Sequence, residues 1–400
     1  MTAMITTQAL QRRLDTRTKP QGALGALETL ALQLGLVLQT ETPVLRSPAL
    51  FVFAADHGIA ADSVSAYPQA VTGQMLENYR NEGAAINVLA HQHGLDLTVV
   101  DAGVIGTAAR KAQPPSWIAP GTRNFRVEPA MSAEHCTRAI ETGRTFAGDA
   151  IARGSNALLL GEMGIGNTAC AALLLHRRTG WPLVDCVGRG TGLDDAALER
   201  KRQLLAESSA RCPQLLSPFE TLVEFGGFEI AMLTGAMLEV ARHRCVVVVD
   251  GFAVSVAALL ATEMDSRVRA HCVFSHCSAE AGHRKLLDHL QAQPLLDLRL
   301  RLGEGSGAAL AWPLLDSAAR LMTEMASYTS RLLSQPMNWL TGNRGYTRKE
   351  LAWKKSGSGN WGAGASTFAT RTVICWSWQR QASGRCIEKS GKHIDQDLIE

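Results

Sequence analysis

Short apolar runs recur along the chain at residues 49–55, 97–100, 157–160, 245–249 and 296–302, separated by longer segments with helical spacing such as 168–178, 194–212, 229–242 and 252–264. Strands that alternate with helices build βαβ units, so the chain is expected to be an α/β protein. Its sheet should be mostly parallel, with helices on both faces. Ligands of such sheets bind beyond the carboxyl ends of the strands. Here those ends read ADHG, DAG, GEMGIGN, VDG and GEGSG, five turns that each join glycine to a carboxylate. Residues 1–45, helical in pattern, are expected to form part of a small helical domain. Residues 46–310 are expected to form the α/β domain that carries these turns and 311–330 a C-terminal helix.

The last of these turns is the most pointed. LDLRLRLGEGSGAALAWP, residues 296–313, reads as an alternating strand, a glycine-rich turn and an alanine-rich helix. Gly303, Gly305 and Gly307 remove side-chain bulk around Glu304 and permit unusual dihedral angles. The helix N-terminus behind them favours anions. A lone loop glutamate is ordinarily solvated, and the company of the other four turns makes Glu304 a candidate.

GEMGIGNT, residues 161–168, joins a buried strand to a helix that Asn167 or Thr168 can cap, with Glu162 at its lip. A second turn, VGRGTGLDD at 187–195, enters a helix through an acidic first turn. Lys201 lies about two turns along, either as a solvated surface lysine or as a phosphate partner. Asp56 and His57, with the cluster Ser275, His276, Cys277, Ser278, Glu280 and His283, match no zinc spacing. Ser278 is expected to cap the helix SAEAGHRKLLDHL or to donate to a phosphate, and Met163, Met232 and Met237 read as core filler.

Composition narrows the class. The chain has 400 residues, 46% of them hydrophobic, enough for a large core. A net charge of +3 gives no electrostatic case for nucleic acid or membrane. MTAMITTQALQRRLDTRTKP lacks the apolar stretch of a secretory signal, and no run of about 18 apolar residues occurs. The nine cysteines are scattered with no C-x-x-C pair, as for reduced thiols of a cytoplasmic protein. Residues 331–400 stand apart, with 11 Lys and Arg against 5 Asp and Glu, five of the eight tryptophans, and the low-complexity run SGSGNWGAGAS. This basic tail reads as an unstructured extension, and single-strand nucleic-acid stacking is its alternative.

Ten stretches together resemble one family. KPQGALGALE, AADHGIA, SAYPQAVTGQM, GAAINVLA, GEMGIGNTA, VGRGTGLDD, GGFEIAML, VVVDGF, SHCSAEAGH and LRLGEGSGAALA occur in family order over roughly residues 10–327. They are similar to the nicotinate-nucleotide–dimethylbenzimidazole phosphoribosyltransferases of cobalamin lower-ligand synthesis. The resemblance implies transfer of the phosphoribosyl group of nicotinate mononucleotide to 5,6-dimethylbenzimidazole, with inversion at C1′. It implies a Rossmann-like parallel sheet with a small helical domain, a homodimer, and no metal or organic cofactor, beside the composition's reading of a cytoplasmic protein with no nucleic acid or membrane partner.

Residue by residue, the resemblance places Glu304 at the family's general-base position and Glu162 as the second carboxylate. Gly188, Gly190, Lys201 and Ser278 fall at the nucleotide's phosphate or ribose. Tyr67, Gln74 and Met163 fall at the benzimidazole pocket, and Gly164, Gly303 and Gly305 at the substrate-facing turns. Ala23 and Glu82 depart from a serine and a glycine of the family pattern, and residues 328–400 have no counterpart in it. The foreign tail predicts poor solubility of the full chain.

Two other classes make distinct demands. A binding protein without turnover needs no base, which the presence of Glu304 opposes. An NAD-dependent oxidoreductase needs GxGxxG after the first strand, and ADHGIA is not that.

Overall fold

A computed structural model describes residues 4–106, 114–190 and 192–328. The tail at 331–400, and with it the expectations for its disorder and its effect on solubility, lies outside the described residues. Among the described residues five parallel strands form one sheet: β1 (Ala49–Ala55), β2 (Asp96–Gly103), β3 (Ala157–Met163), β4 (Val246–Val249) and β5 (Cys272–Phe274). Their order is β2-β1-β3-β4-β5. β1 pairs on both edges, Ala49 facing Asp96 on one side and Leu158 on the other. The order reverses between β1 and β3, and the crevice at their carboxyl ends is where a doubly wound sheet takes ligands.

The strands alternate between two cores with period two. Phe51, Phe53, Leu158, Leu160, Val247 and Val249 face one core, with the helices Ala133–Ala152, Asn167–Thr179, Phe228–Val240 and Phe252–Met264. Leu50, Val52, Leu159, Val246 and Val248 face the other, with Thr7–Asp15, Ala26–Leu38 and Ser306–Glu324. Both faces are therefore covered, as parallel sheets require. The first 45 residues share this second core with the last described helix. Among the described residues no helix is long and apolar enough to cross a membrane.

One expected strand is absent. Residues 296–302 form no strand, and the fifth place in the sheet belongs to the three residues of β5. The segment instead runs beside the continuation of β5. Leu296 makes an isolated parallel bridge to His276, and Ala279 N–H donates to Leu300 O at 2.9 Å. Arg299 at φ 55° breaks the extended run, and Leu298 and Leu302 stay 56% and 55% exposed. The alternation there marks no buried face.

Candidate active site

β3 ends in the first carboxylate of the crevice. The Glu162 side chain is buried, and its Oε2 accepts a hydrogen bond from Asn167 Nδ2. Burial pushes its carboxyl well above the usual range, and the nearby charges of Asp250, Glu229 and Glu304 add to the rise. Asn167 is thus committed to Glu162 and does not cap its helix. Gly166, in the left-handed region at φ 98°, is the N-cap and offers no side-chain bond.

Glu304 meets Glu162 directly. Its backbone N–H donates to Glu162 O at 3.1 Å. Gly303, Glu304 and Gly305 take consecutive left-handed conformations at φ 82°, 62° and 80°, easy for glycine and disfavoured for a residue with a Cβ. Gly161 of β3 lies so close that a Cβ there would overlap the backbone of Glu304 and Gly305. Burial lifts the Glu304 carboxyl to about 7, against the Tyr79 hydroxyl, which lowers it, while the Asp250 charge adds to the rise. Tyr79 comes from the helix Ala70–Arg80 and is itself pushed up by burial and by Glu304, so it faces the carboxylate as a neutral phenol.

The helix N-terminus behind the turn is already occupied. Asp250, at the end of β4, accepts from Gly305 N–H at 3.1 Å, Gly307 N–H at 2.7 Å and Ala308 N–H at 3.1 Å. The anion those amides hold is the chain's own.

A second cluster surrounds Lys201. Its ammonium is buried, so the reading as a solvated surface lysine does not hold. Nζ donates to Thr168 Oγ1 at 3.2 Å and to Gly188 O at 3.3 Å. Burial lowers its pKa to about 8, opposed by the Glu280 carboxylate. Gly190 packs on Thr168 and Lys201, and a Cβ on Gly188 would collide with Glu280. The helix that carries Lys201, Asp195–Arg211, is capped by Asp194, which accepts from Ala197 N–H at 2.7 Å.

Ser278 joins this cluster through Glu280, whose N–H donates to Ser278 Oγ at 3.4 Å. It caps no helix, because the helix begins only at His283. Its N–H donates to His283 Nδ1 at 2.9 Å, and its hydroxyl lies 2.8 Å from the same nitrogen. Burial lowers His283 to about 3, with the His276 and Arg284 charges adding, so the ring is neutral.

The residues expected at the aromatic pocket are less converged. Tyr67 is 53% exposed and Gln74 is exposed on the Tyr79 helix. Met163 sits half-buried at the tip of β3 against the second core. Gly164 presses on Ala55 and on the His57 ring. Met232 and Met237 are fully buried core residues.

A family model described as Phosphoribosyltransferase matches residues 3–331. The chain belongs to this phosphoribosyltransferase family. Among its relatives, a nicotinate-nucleotide–dimethylbenzimidazole phosphoribosyltransferase of Cupriavidus necator is 54% identical over 323 residues, covering 80% of this chain and 93% of the relative. One of the same description from Variovorax paradoxus is 54% identical over 327 residues, covering 82% and 93%. The crystal structure of a nicotinate-nucleotide-dimethylbenzimidazole phosphoribosyltransferase from Thermus thermophilus is 41% identical. It superposes with a TM-score of 0.77 over 82% of this chain and 98% of that one.

This phosphoribosyltransferase, an enzyme of pentosyl transfer, also holds groups that the sequence reading left unassigned. His57 Nε2 lies 2.7 Å from Glu229 Oε1, both fully buried, beneath the turn that carries Glu162. Burial opposes charge on His57, but the Glu229 carboxylate outweighs it and raises the ring's pKa. Both residues stood inside recognised motifs, whereas Tyr79 had no local signal. Among the described residues no group of three or more His, Cys, Asp or Glu is arranged to hold a metal.

Proposed function

We propose that this phosphoribosyltransferase converts nicotinate mononucleotide and 5,6-dimethylbenzimidazole to α-ribazole 5′-phosphate and nicotinate, in assembly of the cobalamin nucleotide loop. It acts with inversion at C1′ and with Glu304 as general base. The observation that carries the reading is the identity of 54% with a relative of that description over 93% of the relative's length. The geometry supplies chemistry that suits it. The pyridinium leaving group already carries positive charge and departs as neutral nicotinate ring nitrogen without an acid. The unprotonated benzimidazole nitrogen attacks C1′, and the proton on the other ring nitrogen passes to Glu304. A carboxyl near 7 is ionised often enough at neutral pH to accept that proton and basic enough to drive its transfer.

A β-linked substrate and an α-linked product require attack on the face opposite nicotinate, with no covalent intermediate. Holding both rings in line supplies much of the rate. Lys201, Gly188, Gly190 and Ser278 hold the 5′-phosphate and ribose, with Thr168 beside the ammonium. Tyr67, Gln74 and Met163 line the acceptor side, Glu162 stands at the ribose or the acceptor ring, and Gly164, Gly303 and Gly305 shape the turns. The chain works as a cytoplasmic homodimer on these small molecules.

The test is chromatography of both products after incubation with the two substrates, with Glu304→Gln alongside. Formation of α-ribazole phosphate, reduced at least about a hundredfold in the variant, is expected. An equally active variant would remove Glu304 from the role, and a well-folded wild type that makes no product would overturn the activity.

A further inference from the structure

β4 delivers a carboxylate that no substrate needs to touch. Asp250 is 1% exposed, and both of its oxygens are spent on one segment, the amides of Gly305, Gly307 and Ala308. These are the N-cap and first-turn donors of the helix Ser306–Glu324, groups that have no partner within a helix. His276 Nε2 stands 3.6 Å behind Asp250 Oδ1, and Ser275 Oγ donates to Asp250 O at 3.3 Å. The clamp closes immediately after Glu304. A non-glycine residue persists in the left-handed region only where its surroundings over-determine it. Here Glu162 O holds the Glu304 N–H from one side, Gly161 packs beneath, and Asp250 grips the next residue.

The geometry points to Asp250 as a positioning residue for the proposed reaction: it anchors the helix start so that the left-handed turn presents the Glu304 carboxylate to the acceptor's ring N–H. This rests on Glu304 being the general base. Filling the helix N-terminus with an internal anion also denies that place to the substrate phosphate, which leaves Lys201 as its partner. Besides its tether, Asp250 exerts a field. The ionisable groups facing Glu304 are Tyr79 from the helix Ala70–Arg80, Glu162 from β3 and Asp250 from β4, with His276 behind Asp250. The Asp250 charge makes Glu304 harder to ionise, so removing it shifts the acid limb of the rate profile downward.

The experiment compares wild type, Asp250→Asn, Glu304→Gln and the double variant in steady-state kinetics with nicotinate mononucleotide and dimethylbenzimidazole across about pH 5.5–9. Asp250→Asn is expected to lower kcat at least about tenfold, with the nucleotide KM within about twofold of wild type. Its acid limb should move to lower pH. In the Glu304→Gln background the same change should cost almost nothing, because Asp250 acts through Glu304. Unchanged kcat in the single variant, an equal loss in both backgrounds, or an unmoved acid limb overturns the proposal. Should Asp250→Asn not fold, Asp250→Glu keeps the charge and shifts the carboxylate by one methylene from the three amides it holds. It is expected to lower kcat without moving the acid limb, and wild-type kcat would overturn the proposal. If wild type itself makes no α-ribazole phosphate, the activity reading fails and the role of Asp250 falls with it.

Discussion

Glu304 illustrates what burying a single carboxyl costs the fold, whatever it does for the proposed chemistry. Its folded pKa of about 7 stands above an unfolded value of about 4.3. Between the two, the folded state binds a proton that the unfolded chain does not, so stability falls as pH rises through that window. A glutamine at this position does not titrate. Glu304→Gln is therefore expected to be more stable than wild type by about 1–2 kcal/mol near pH 8, allowing for solvent at the crevice mouth, and indistinguishable near pH 4, below the unfolded value. Urea unfolding at the two pH values reads the difference, and an equal offset at both would mean that packing, not ionisation, sets it. Wild-type kcat/KM should rise with pH through about 7. Glu82 poses a simpler residue-scale case. It stands in the left-handed region at φ 57°, exposed. Glu82→Gly should relieve that strain and gain roughly 0.5–1 kcal/mol after the added freedom of the unfolded chain is subtracted. A fall in the urea midpoint would show that the glutamate has compensating contacts.

At the scale of elements, the packing of two strand ends against one turn governs the site. Gly161 lets β3 touch the Glu304 turn backbone to backbone, and Asp250 holds that turn from the far side. With neither partner free to move, Gly161→Ala should cost about 1–3 kcal/mol by overpacking and lower kcat more than it raises the nucleotide KM. Thermal unfolding and kinetics of the variant check this, and wild-type values of both would mean that the turn yields.

The same contacts explain where sequence reading stops. β1 and β3 were legible because both faces are buried and each ends in glycine beside a carboxylate. β5 is three residues long, too short for a pattern, and residues 296–302 carry alternation without burial. Ser278 and Asn167 look like caps locally, but His283 and Glu162 claim them. Asp250 and Gly305 are 55 positions apart, and Tyr79 reaches Glu304 from a helix on the other side of the chain's length. No local spacing encodes such meetings. The glycine-rich strand ends mark the crevice of the candidate site but not the side chains that hold its turns.

For the whole molecule, closure of the second core depends on stitching the two ends of the described body together. Thr18 N–H donates to Ala326 O at 3.0 Å, Tyr328 N–H to Thr16 O at 2.8 Å, and Arg13 Nε to Met322 O at 3.2 Å. The buried Arg17 guanidinium spans the Met322 and Met325 carbonyls and donates to Ser327 Oγ at 3.0 Å. Met322 fills the core beneath them. These contacts end at residue 328, three short of the last residue matched to the family. A chain ending at residue 330 keeps every one of them and should unfold at the wild-type midpoint, within about 2 °C. It should also remain in the supernatant where the basic, tryptophan-rich full chain sediments. A chain ending at residue 320 removes Met322 from the core and takes away the Met322, Met325 and Ser327 acceptors of Arg17, a loss of about 3 kcal/mol or more. Parallel melts and sedimentation of the three chains separate the two effects. If the chain ending at 330 melts as low as the one ending at 320, residues beyond 330 support the fold. If it sediments like the full chain, the tail is not the cause of poor solubility.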